Sequence, residues 1–77
     1  MIKNLEEAVK VYKQKCKDAP YDLVVETPTW YIFSYNKDHV IADPIGINKR
    51  TGECRGVVPP FDIKDYDKGE IVWDRRS

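Results

Sequence analysis

Pro44-Ile45-Gly46-Ile47-Asn48-Lys49-Arg50-Thr51-Gly52-Glu53-Cys54 reads as a strand, a tight turn and the start of a second strand. Asn48 to Gly52 fits a type I turn closed by a left-handed glycine, a common hairpin loop. Gly46 lies inside the first strand and allows a close approach there, by the helix or by an aromatic ring. Pro44 removes one ladder hydrogen bond from a run that begins at Val40 and ends at Asn48. An edge position, a bulge or a break into two strands would each accommodate it. Glu53 to Val58 forms the partner strand, which Pro59-Pro60 terminates.

Upstream of this hairpin, Trp30 to Tyr35 is rich in β-formers. Its alternation places Trp30, Ile32 and Ser34 on one face and Tyr31, Phe33 and Tyr35 on the other. Leu23, Val24 and Val25 begin another strand between Asp22 and Thr27, joined to it through Pro28-Thr29. Asn36-Lys37-Asp38-His39 reads as a polar turn. The chain opens with a helix over residues 4–18. Asn4 is its N-cap, and Glu7 stands three positions on, as in a capping box. Leu5, Ala8, Val9, Tyr12 and Cys16 form one apolar stripe, with Leu5 and Tyr12 as core residues, while Val11 lies off it. Lys10, Lys13, Gln14 and Lys17 face away, and Pro20 ends the helix by restricting Ala19.

Downstream, residues 59–77 form a tail. Asp62 can cap a helical turn through Tyr66, with Gly69 as a stop. Glu70 to Trp73 is either a short fifth strand or an extended segment, and its alternation favours the strand; Asp74 to Ser77 is expected to fray.

These elements make one small domain of 77 residues. Thirteen basic and thirteen acidic residues cancel. That balance disfavours an electrostatically driven nucleic-acid binder and a strongly acidic DNA mimic. Apolar and charged residues alternate from Lys3 onward, unlike a signal peptide, and no apolar run approaches the length of a membrane span. Cytoplasmic residence with Cys16 and Cys54 reduced is the expectation, with a disulfide between them left open.

No residue pattern carries a catalytic or metal signature. His39 is the sole histidine. It falls in a polar turn, away from Cys16 on the helix and Cys54 beside the hairpin, so a Cys–His nucleophile is not expected. Asp62, Asp65, Asp67 and Glu70 miss the spacing of a calcium loop, because Gly69 is not where the sharp turn needs it. Capping and solvation account for them. Lys49, Arg50 and Arg55 make a small basic cluster that could meet phosphate or carboxylate, although turn tips carry charge simply because they are wet.

The aromatics say more. A helix with one apolar stripe cannot cover both faces of a sheet that carries Trp30, Tyr31, Phe33 and Tyr35, with Phe61, Tyr66 and Trp73 beyond it. Either some rings stay exposed as an interface, or the tail folds back and covers them.

One helix followed by a β meander resembles the cystatin-like layout of small bacterial domains. The segment Pro44 to Glu53 looks like the hairpin of the immunity protein 35 family: a proline, apolar residues, Asp or Asn, basic residues, then Thr-Gly-Glu. Trp30-Tyr31-Ile32-Phe33-Ser34-Tyr35-Asn36 is similar to that family's tryptophan-led strand. The resemblance runs from Ala8 to about Tyr66, and PepSY-type domains share the Thr-Gly-Glu hairpin. It implies a non-enzymatic role. Immunity proteins of this kind bind a cognate toxin from the same cell, and small phage proteins that block host defence act in the same way.

The sequence therefore predicts an α+β fold: an N-terminal helix packed on a four- to five-strand antiparallel meander sheet. It predicts a non-enzymatic protein-binding module, most simply an immunity-type or anti-defence inhibitor. The alternatives are a homodimeric structural or regulatory domain and, less favoured, a nucleic-acid binder. No cofactor, small-molecule substrate or membrane is expected; the partner is a toxin, a defence protein or a second copy. Candidate contact residues are Trp30, Tyr35, Lys49, Arg50, Arg55, Tyr66 and Trp73.

Overall fold

Helix α1 (Leu5–Cys16) starts where its cap predicts. The Glu7 backbone N–H donates to Asn4 Oδ1 at 2.9 Å, and the Lys3 N–H donates to Glu7 Oε1 at 3.0 Å. The return bond of the box thus lands one residue earlier than usual, with the same effect of satisfying a free donor at the helix entry. The computed structural model describes residues 2–16, 20–37, 40–41, 44–58 and 61–75. The expected extension of the helix to residue 18, its end at Ala19 and the Pro59-Pro60 terminator lie outside the described residues.

Seven strands follow: β1 (Leu23–Glu26), β2 (Trp30–Ser34), β3 (Asn36–Lys37), β4 (Val40–Ile41), β5 (Ile45–Asn48), β6 (Cys54–Gly56) and β7 (Glu70–Asp74). Five of them make one sheet in the order β6-β5-β2-β1-β7, and β3 pairs with β4 alone. Every pairing is antiparallel. The α+β architecture is as the sequence predicts, and the meander holds through β1, β2, β5 and β6, with the β3–β4 hairpin inserted between β2 and β5. The last strand departs from it. Instead of adding beside β6, the chain crosses back and β7 pairs with β1 at the opposite edge, with an irregularity in register between Val24 and Val25.

Two local expectations are refined. The run from Val40 to Asn48 is two strands, because Pro44 breaks the ladder and β4 turns away to pair with β3. Asn36 and Lys37 therefore belong to a hairpin arm rather than to a turn, and Asp38 and His39 lie outside the described residues. The fourth strand is shorter than Glu53 to Val58, although the Val57 N–H still reaches Pro44 O at 2.9 Å.

The hairpin between β5 and β6 has the expected chemistry. Gly52 sits at φ +75°, the left-handed region that a Cβ disfavours. Its N–H donates to Asn48 O at 2.8 Å. Asn48 Oδ1 accepts from the N–H groups of Arg50 and Thr51, so the side chain imitates a turn of backbone. The hairpin also anchors the chain start: the Ile2 N–H donates to Lys49 O at 2.8 Å, and Ile2 is buried.

Alternation along β2 divides the interior in two. On the helix side Tyr31 and Phe33 join Ile2, Ala8, Tyr12, Val24 and Ile47. On the other side Trp30 and Ile32 join Val57 and Ile63, with Val25 packed against them. Leu5, expected in the core, is half-buried at its margin, because it stands in the first helical turn. Val11, expected off the stripe, also packs against the helix-side cluster.

Candidate functional site

The second face of the sheet is covered by Val57 and by the chain from Phe61 to Gly69, and the details of that cover decide which rings remain outside. Ile63 is fully buried against Trp30 and Ile32. Asp65 grips the β1–β2 connection: its Oδ2 accepts from the Thr29 N–H at 3.1 Å and from the Thr29 hydroxyl at 2.8 Å. That connection is itself rigid, since Thr27 Oγ1 is buried and accepts from the Trp30 N–H at 2.9 Å. Gly69 sits where a Cβ would come within 2.7 Å of Val25 Cγ1, so the chain passes close to the sheet before entering β7.

Between these two anchors and β6 the chain makes a closed loop. The Asp62 N–H donates to Val58 O at 3.0 Å, and the Val58 N–H donates back to Asp62 Oδ2 at 2.8 Å. Phe61 stands on this loop, 86 % exposed. Asp62 was expected to cap a helical turn through Tyr66. Its carboxylate instead closes the loop, and the helical turn forms later as a 3₁₀ turn at Tyr66–Lys68, ended by Gly69. Burial of Ile63 draws the chain onto the sheet at the point where that turn would have begun.

Among the described residues all the exposed large hydrophobics lie in the chain after β6: Val58, Phe61, Tyr66, Ile71 and Trp73. Ile71 faces the same side as Val25, its partner across β1–β7, and stays 63 % exposed. Trp73 lies at the other side of β7, with its ring 5.2 Å from Tyr21.

The candidate residues separate accordingly. Tyr66 and Trp73 are on the exposed tail. Trp30 is not available for contact: it is buried under Val57 and Ile63, with the Arg55 guanidinium 5.3 Å from its ring centre. Tyr35 is half-buried just after β2. Phe61 and Ile71, which the candidate set omits, are the most exposed. The only sequence signal for Phe61 is an aromatic directly after a proline pair.

The basic cluster is also divided. Lys49 Nζ lies 2.6 Å from Glu26 Oε2 and 4.8 Å from the Tyr31 ring centre. It is committed to packing across three strands rather than held out for a ligand. Arg55 covers Trp30, and Arg50 stands exposed at the hairpin tip with no ring or carboxylate contact among the described residues. Among the described residues no group of three or more His, Cys, Asp or Glu side chains is placed to hold a metal ion; His39 lies outside them. No helix among these residues is long and apolar enough to cross a membrane.

Burial shifts three acids on the helix side. Tyr12 and Tyr31 are both pushed up to about 12, chiefly by burial, with the Glu26 carboxylate second for Tyr31 and Cys16 second for Tyr12. Cys54 is pushed up to about 11, again first by burial and then by its contact with Cys16. In each case the unfolded chain loses its proton at lower pH than the fold. Their contribution to stability is therefore complete below about pH 8.5 and is lost as pH rises through 10 to 12. Urea midpoints should be level from neutral pH to about 8.5 and fall above it, with Tyr31→Phe reducing the fall. A wild-type midpoint that holds to pH 12 would contradict this account of the core.

No protein-family model, curated protein or solved structure matches this chain.

Proposed function

We propose that this protein is a small non-enzymatic protein-binding module that makes its contacts through the C-terminal tail. The observation that carries this reading is Phe61, held outward on a loop closed by reciprocal hydrogen bonds between Val58 and Asp62. Exposing a phenylalanine forfeits about 1.5–3 kcal/mol of burial. Those two hydrogen bonds hold Asp62, the residue next to Phe61, and so limit the entropy lost when that ring enters a pocket. Tyr66, Ile71 and Trp73 add apolar surface on the same tail, and Val58 adds more just before it. The commitment of Lys49 to Glu26 and of Arg55 to Trp30 weakens the nucleic-acid reading. The hairpin and tryptophan-led strand that resemble the immunity protein 35 family support a finer form: an immunity-type or anti-defence inhibitor that occludes a bacterial toxin or defence protein, acting in the cytoplasm.

The test begins with affinity capture from the native host and continues with titration of the purified captured protein at two salt concentrations. Phe61→Ala should weaken binding by about thirtyfold, as loss of a hot-spot ring worth about 2 kcal/mol does. Arg50→Ala should change it little, and salt dependence should be shallow. Steep salt dependence with Arg50→Ala more harmful than Phe61→Ala would replace this reading with the nucleic-acid one. Sedimentation showing a stable dimer that Phe61→Ala dissociates would replace it with self-association.

A further inference from the structure

We propose that Cys16 and Cys54 are a reversible redox site, closing to a disulfide that staples helix α1 to edge strand β6. The two sulfurs are 38 positions apart in sequence and 3.5 Å apart in space. Both are free thiols, both are half-buried, and both pack against the helix-side core. Their meeting follows from the fold. Cys16 is the last residue of α1, at the end of the apolar stripe. Cys54 pairs with Ile47 across β5–β6, and Ile47 is wholly buried on the helix side. Register therefore turns Cys54 toward the helix, and the stripe turns Cys16 toward the sheet.

A disulfide has its sulfurs about 2.05 Å apart, so closure brings them about 1.5 Å nearer. The shift falls at a helix end and on an edge strand. Among the described residues no third ligand completes a metal site with the pair.

The oxidant is a small disulfide of the glutathione class. The thiolate of Cys16 attacks one of its sulfurs, forming a mixed disulfide and expelling one small thiolate. Cys54 then loses its proton and attacks the Cys16 sulfur, forming the internal bond and expelling the second small thiolate. Two protein thiols are oxidised, one small disulfide is reduced to two thiols, and the two protons pass to those products. Burial pushes the Cys54 thiol up to about 11, so the second step is slow at neutral pH and quickens as pH rises. The bond closes a long loop in a chain small enough to benefit from a staple. In reducing surroundings the domain rests on its core alone; in oxidising surroundings helix and hairpin are tied.

The experiment uses the full chain, reduced and then equilibrated with oxidised glutathione at pH 8.5. Intact mass should fall by two hydrogens with no glutathione attached. The thermal midpoint should rise by on the order of 10 °C, and dithiothreitol should reverse both changes. Cys16→Ser and Cys54→Ser should each show no rise. Persistent glutathione on either cysteine, covalent dimers, or two unmodified thiols at equilibrium would overturn the site. An internal bond with an unchanged or lower midpoint would overturn the staple.

Discussion

Phe33→Ala should cost about 3–5 kcal/mol in water at 25 °C. Phe33 lies on the central strand β2, 1 % exposed. Its ring stacks on Tyr12 of the helix at 4.4 Å and 12°, and Tyr21 meets it edge-on at 5.0 Å and 81°. Tyr21 also meets Tyr12 at 5.0 Å, so three rings from three segments lock together. This contact joins helix to sheet. The cavity left by alanine cannot collapse easily, because β2 is held on one side by β1 and on the other by β5. A domain of this length has roughly 4–12 kcal/mol of total stability, so the loss is a large share of it. Urea denaturation followed by far-ultraviolet circular dichroism measures it. A loss under about 1 kcal/mol would mean that the three rings do not form the helix–sheet core.

What the sequence could and could not disclose follows from the range of each interaction. The Asn4–Glu7 cap, the Asn48–Gly52 turn and the alternation along Trp30–Ser34 are local, and each is present in the fold. The position of β7 is not local. Glu70 to Trp73 alternates as a strand should, but nothing within it selects β1 over β6 as its neighbour. The burial of Ile2 depends on a backbone bond to Lys49, 47 positions away. The sequence leaves open that the tail folds back over the sheet, but the residue that builds the second core is hidden for a related reason. Ile63 is a lone apolar residue among polar ones, and periodicity cannot flag a single plug.

That plug also explains the division of the candidate site. Alternation alone left open whether Trp30 or Tyr31 would face outward, since both sides of β2 are aromatic. Ile63 and Val57 cover Trp30 and α1 covers Tyr31, so both are buried. The exposed apolar surface passes to the covering segment at Phe61 and to edge strand β7 at Ile71. The pairing of Lys49 with Glu26 was equally invisible, because it requires β5 and β1 to flank β2 on the helix side.

Gly46→Val should be the most damaging of the glycine substitutions in the hairpin, at the upper end of about 1–3 kcal/mol or beyond. A Cβ built at Gly46 stands 2.9 Å from Trp30 Cε3 and 2.9 Å from Val57 Cγ1, before either γ-methyl is added. Neither neighbour can retreat easily. Trp30 is held between Gly46 and Ile63's cluster on a central strand, and Val57 is tied to Pro44 by its backbone N–H. The glycine is thus a shape requirement of the second core: it makes the floor on which the tryptophan lies. Gly52 provides the contrast. It has open space around its Cβ position, and only its φ of +75° opposes a side chain, so Gly52→Ala should cost about 1–2 kcal/mol. The readout is tryptophan emission together with the urea midpoint, in a Trp73→Phe background where Trp30 is the sole tryptophan. Gly46→Val should shift the emission to the red as the ring is pushed toward water, whereas Gly52→Ala should lower the midpoint with the emission unchanged. Unchanged emission and midpoint in Gly46→Val would show that Trp30 and Val57 do not close over Gly46.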